Sequence, residues 1–161
     1  VHAGKKLMSI LKNRVQEEVF QVLTPVYGDK QGRLTWDETD GTWVAIKQVP
    51  ISPMLTQGGR GLIDVLVLIP QEYPHIPPHG IYCDMLLKPI GHFFIGWKDF
   101  HYPELQHELA NRGWMFFCFR INEAQEAGWR PTNEVGRGDN LLTVVHLGLA
   151  LLEEVGKRGL K

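Results

Sequence analysis

Four of the nine residues from position 70 to 78 are proline: Pro70, Pro74, Pro77 and Pro78. Proline has no backbone N–H to give to a sheet ladder or a helical turn, and its ring fixes φ. No regular element runs through such a stretch. It reads as a stiff, extended crossing, and the elements on either side of it must stop there.

Before the crossing, Leu7, Leu11, Val15, Val19 and Val22 recur at three- and four-residue spacing, with Met8, Phe20 and Leu23 beside them. This periodicity predicts a helix over 5–23. Lys12, Arg14, Gln16, Glu17 and Glu18 fall on its wet face, and Thr24-Pro25 reads as its end. Strands are predicted over 33–38, 42–49 and 62–69, with Asp40-Gly41 as a hairpin signal. A connection rich in Pro and Gly spans 50–61. In the third strand Ile63, Val65, Val67 and Ile69 alternate with Leu62, Asp64, Leu66 and Leu68. Strands this close in sequence pair as an antiparallel meander.

After the crossing, Ile81-Tyr82-Cys83 reads as a short fourth strand. Residues 85–106 are irregular and carry Phe93, Phe94, Trp97, Phe100 and Tyr102. Residues 114–119 read as extended, and Asn122 to Gly128 as a helical turn. Asp139 or Asn140 is an N-cap for a last helix over 141–155, closed by Gly156 and Gly159. Leu141, Leu142, Val144, Val145, Leu147, Leu149, Leu151 and Leu152 surround almost its whole circumference, which places it inside the domain. The fold class is therefore α+β: a single domain over 1–161, a four-stranded antiparallel meander, an N-terminal helix and a buried C-terminal helix.

Composition narrows the function classes. A formal net charge of -1 gives no global field toward nucleic acid or an anionic membrane. The longest apolar runs fall short of a membrane span, and the N-terminal pattern is amphipathic, unlike a signal peptide. Two cysteines in separate segments form neither a disulfide scaffold nor a zinc pair, which fits a reducing, cytoplasmic setting. His75 and His79 are four apart, but two prolines lie between them, so they are not a helical metal pair. His101, His107 and Cys118 are irregularly spaced and have no obvious fourth ligand. No metal and no cofactor is expected.

Cys118 lies in Phe116-Phe117-Cys118-Phe119, beside a polar turn region that ends in Trp129-Arg130-Pro131. From the residues alone it has two readings: a structural cysteine in an apolar run, or a nucleophile presented by a rigid scaffold. Cys83, at the end of a strand, reads as core.

Three segments together resemble the ubiquitin-conjugating enzyme family, the UBC fold. Tyr73-Pro74-His75-Ile76-Pro77-Pro78 looks like that family's YPxxPP crossing. Cys118-Phe119-Arg120-Ile121 sits where the family has its catalytic cysteine. Trp129-Arg130-Pro131, followed by Leu141-Leu142-Thr143-Val144-Val145, looks like its W-S-P segment and crossover helix. The match covers roughly residues 5–155. The chain departs from the eukaryotic pattern in three ways: a longer gap before Cys118, no HPN tripeptide, and no pair of C-terminal helices. These departures resemble the bacterial branch, found in operons with a ubiquitin-like protein, an activating enzyme and an isopeptidase, several of them antiphage systems.

The resemblance implies that Cys118 accepts a ubiquitin-like protein as a thioester from an activating enzyme and passes it to an amine on a protein target. It implies that Asn111, at nearly the HPN spacing, steadies the active-site loop and the oxyanion. Tyr73, Pro74, Pro77, Pro78, Trp129 and Pro131 become active-site supports, with Tyr73 packed under the cysteine segment. Lys5, Lys6 and Lys12 on the first helix become the contact for the activating enzyme. The alternative is a catalytically inactive UBC-like scaffold that holds a ubiquitin-like protein or the activating enzyme. The absent HPN tripeptide keeps that alternative open.

Overall fold

Helix α1 (His2–Glu18) runs through one π-turn (Val19–Leu23) into helix α2 (Thr24–Tyr27). The computed structural model describes residues 2–84, 108–109, 111–121 and 128–159. The expectations placed on 85–106, on His101 and His107, and on 122–127 lie outside those residues. Leu11, Val15, Val19, Leu23 and Tyr27 form the buried stripe of the helix. The chain does not stop at Thr24-Pro25, as its sequence predicts. In the π-turn the Thr24 N–H donates to the Val19 carbonyl, five residues back, and the Thr24 hydroxyl donates to the same oxygen at 2.7 Å. The wider register absorbs the N–H that Pro25 lacks, so the helix continues for a further turn.

A second correction concerns Glu18. It is not on the wet face but fully buried, at 0% exposure. The steps from Leu11 to Val15 to Glu18 are four and three, the spacing of the apolar stripe itself. Arg14, also expected on the wet face, keeps only 10% of its side chain exposed.

Among the described residues the sheet has five strands where four were expected. Strands β1 (Leu34–Trp36), β2 (Trp43–Pro50), β3 (Leu62–Leu68), β4 (Gly80–Cys83) and β5 (Met115–Cys118) pair antiparallel in chain order. The extended stretch around Cys118 supplies the fifth, with Gly80 opposite Cys118, Ile81 opposite Phe117, Tyr82 opposite Phe116 and Cys83 opposite Met115. Its aromatic residues gain cross-strand partners this way; the Tyr82 and Phe116 ring centroids are 4.8 Å apart.

Alternation divides the sheet between two apolar clusters. Val44, Ile46, Ile63, Val65, Val67, Ile81, Cys83 and Phe117 face the helices. Leu66, Leu68, Tyr82 and Phe116 gather in the second cluster on the other face, where Leu109 joins them. The proline stretch is not extended throughout. Tyr73 N–H donates to Pro70 O, and His75 and Ile76 N–H both donate to Glu72 O, so the chain coils through turns there. The non-proline residues keep their N–H groups, and these suffice to close turns.

Helix α3 (Leu141–Gly159) packs on the inner face. Asn140 is its N-cap: its side-chain oxygen accepts from the N–H groups of Leu142 and Thr143 at 3.0 and 3.2 Å. The helix is not buried all round, since His146, Ala150 and Glu154 are exposed along one stripe. It also continues past Gly156. That glycine lets the helix lie against Leu55, whose side chain would collide with an added Cβ.

Candidate functional site

Strand β5 decides which way each thiol points. Phe117 and Phe119 turn toward the helices. Phe116 and Cys118 therefore turn to the opposite face, where Cys118 is partly buried against the second apolar cluster. Cys83 belongs to the other face. It is sealed at 0% exposure, and neither cysteine is in a disulfide. Burial, helped by the charge of Asp84, pushes the Cys83 thiol well above its ordinary range, which keeps it protonated and inert. Of the two cysteines, Cys118 is the one that is partly exposed.

The strand opposite Cys118 comes unusually close. A Cβ built on Gly80 would collide with the Phe117 carbonyl oxygen and stand 3.0 Å from the Cys118 Cα. Phe119 N–H then donates to His79 O at 2.9 Å, so the pairing extends one step beyond the cysteine. His79 and Gly80 directly follow Pro77 and Pro78, which are half-buried and buried. The end of the proline stretch is thus the pairing partner of the cysteine segment.

The start of that stretch is fixed by a buried polar network. The Tyr73 hydroxyl donates to both Glu18 carboxylate oxygens, at 2.6 and 2.8 Å. Leu141 N–H, at the start of α3, donates to Glu18 Oε1 at 2.6 Å, and Arg14 Nε–H donates to Oε2 at 2.7 Å. Donors on both oxygens are the pattern of an ionised carboxylate, and the partial positive charge at the N-terminus of α3 adds to it. Burial nonetheless raises the Glu18 carboxyl above its ordinary value, against the bonds from Tyr73, Leu141 and Arg14. The Tyr73 phenol is raised well above its own, by burial first and the Glu18 charge second, so it stays a donor. Arg14 Nη1 reaches on to the Thr132 carbonyl, and its Nη2 is buried with no partner among the described residues.

Trp129 completes the arrangement. Its Nε1–H donates to the Pro74 carbonyl at 2.6 Å, and its ring centroid is 6.1 Å from that of Tyr73. Tyr73, Pro74 and Trp129, which the resemblance implies as supports, are in contact with one another. Pro131 is half-buried in the next loop, closed where Arg130 N–H donates to the Asp139 carboxylate at 2.7 Å.

The remaining candidates are more scattered. Asn111 is exposed in the turn before β5, where Arg112 N–H donates to Glu108 O at 3.1 Å. Lys6 is exposed and Lys12 half-buried on α1, while Lys5 belongs to α1 with its side chain outside the described residues. Sequence reasoning missed Glu18 and Arg14. The signal that finds Glu18 is a carboxylate at stripe spacing in a helix that must pack.

Among the described residues no helix is long and apolar enough to cross a membrane, and no group of His, Cys, Asp and Glu is placed to hold a metal ion. Comparison with protein-family models, with curated proteins and with solved structures found no match for this chain.

Proposed function

We propose that this chain is a ubiquitin-conjugating-like transferase that carries a ubiquitin-like protein as a thioester on Cys118. The supporting observation is the contrast between the two cysteines. Cys83 is sealed and held protonated, whereas Cys118 is partly exposed on β5, the last of the described strands, beside a proline segment tied down by Tyr73 and Trp129. An acyl donor and an acceptor that are both proteins need a thiol on an open surface. The α+β order of helix, antiparallel meander and closing helix is compatible with the UBC fold.

The chemistry is two acyl transfers. The Cys118 thiolate attacks the carbonyl carbon of the activating enzyme's thioester. A new C–S bond forms, and the activating enzyme's cysteine leaves as thiolate. An amine of the target then attacks the Cys118 thioester. A C–N bond forms, Cys118 leaves as thiolate, and the amine's surplus proton passes to solvent. Exchange between thioesters of similar energy needs little driving force and works best with a thiol pKa near ambient pH. A bacterial conjugation operon, including an antiphage one, is the setting that fits the absent HPN tripeptide.

The test is to mix the protein with its activating enzyme, its ubiquitin-like partner and ATP. A covalent adduct that reductant removes is expected, and Cys118→Ala abolishes it. The second reading, a UBC-like scaffold without thioester chemistry, draws on the missing HPN tripeptide. It takes over if both partners bind and no adduct forms.

A further inference from the structure

We propose that Glu18 is a positioning residue for Cys118, acting through Tyr73 and the N-terminus of α3. This rests on the reading of Cys118 as the working thiol. Glu18 is fully buried, and its described hydrogen bonds go to Tyr73, Leu141 and Arg14. What it holds are two elements that border the strand of Cys118. Through the Tyr73 hydroxyl it fixes the start of the proline stretch, whose far end supplies His79 and Gly80 as the pairing partners of Phe119 and Cys118. Through Leu141 N–H it fixes the start of α3. Further along α3, Gly148 lies so close to Ile81 and Phe119 that an added Cβ would stand 2.9 Å from each side chain. The pairing opposite Cys118 and the packing behind it are thus both referred to one carboxylate.

A third path runs through Trp129. It bonds to Pro74, next to Tyr73, on the same proline stretch. A carboxylate chosen only for stability has a cheaper substitute, since burying a charge costs more than packing an apolar side chain of the same size. A directional acceptor with donors on three segments does what an apolar residue does not: it sets their relative positions.

The experiment is alkylation of the intact protein with iodoacetamide at neutral pH, with the two cysteine peptides quantified separately by mass spectrometry. Cys83, at 0% exposure, reports global opening in the same tube. In Glu18→Gln and Tyr73→Phe the Cys118 rate is expected to rise several-fold while Cys83 stays protected. The double variant should rise no further than Glu18→Gln alone, because the contact that Tyr73→Phe removes is one of those already altered at Glu18. Trp129→Phe should reproduce part of the effect. Two results overturn the proposal: an unchanged Cys118 rate with Cys83 protected, and rates that rise in step at both cysteines, which reduces Glu18 to a stability contact. No activating enzyme is involved, so absence of a thioester would sink the transferase reading and leave this result standing.

Discussion

Gly80 faces Cys118 across β4 and β5 at a distance that no side chain can enter. A methyl group there would meet the Phe117 carbonyl oxygen, a backbone atom that cannot swing aside. Gly80→Ala is therefore expected to cost about 1–3 kcal/mol, the usual range for overpacking, and to loosen the end of β5. Denaturant unfolding gives the first quantity. Faster exchange of the Phe119 amide, with the amides of β2 and β3 unchanged, reports the second. Unaltered stability and exchange would mean that the two strands can part without loss.

Tyr73 separates packing from hydrogen bonding. It is 3% exposed, so Tyr73→Ala should cost about 3–5 kcal/mol, as for a large core aromatic. Tyr73→Phe keeps the ring and removes one donor from a buried carboxylate, at about 1–3 kcal/mol. Urea midpoints of the two variants should fall in that order. A Phe variant as stable as the parent would show that Glu18 finds another donor.

Glu18 gives a pH signature of definite sign. Burial raises its carboxyl above the ordinary value of 4.5 despite the bonds to it. From 4.5 upward to the raised value, the folded chain keeps a proton that the unfolded chain has released. The contribution of this group is complete below 4.5 and declines as pH rises through the raised value. Glu18→Gln does not titrate. The stability of the parent relative to Glu18→Gln should therefore be highest at the acid end and fall with rising pH. Unfolding curves across that window check it, and a gap that widens with pH contradicts it.

Much of the framework was legible because it rests on periodicity. The alternation in β3 and the apolar spacing of α1 placed those elements nearly where they lie. Three features were not legible. The passage through Pro25 depends on a π-turn register, which hydrophobic spacing does not encode. The fifth strand exists because a segment more than thirty residues away in sequence supplies its partner. Glu18 is polar, and a pattern rule that sorts polar residues outward misplaces it, although its spacing pointed inward. At the site, Cys118, Tyr73 and Trp129 were singled out by the resemblance of their segments, whereas the link of Tyr73 to Glu18 and of Trp129 to Pro74 needed the tertiary structure.

Partner docking offers a test of the α1 surface. Lys6 is exposed and Lys12 half-buried, and Lys5 lies on the same helix. Reversing the charge of Lys6, the exposed one, should slow loading of Cys118 at low salt and leave unfolding unchanged, since exposed charges act mainly on association rate. Loading at the parental rate at low salt would remove α1 as the contact.

The most direct measurement of Cys118 as the acyl carrier is the site of attachment itself. The adduct formed with the cognate activating enzyme, ubiquitin-like protein and ATP is digested under acidic, reductant-free conditions, and the modified peptide is identified by mass. The expected result is a thioester between the C-terminal carboxyl of the ubiquitin-like protein and the peptide carrying Cys118. Cys118→Ser should give a reductant-resistant oxyester or none, and Cys83→Ser should load normally. Attachment at Cys83, or an adduct that survives Cys118→Ala, would contradict the assignment.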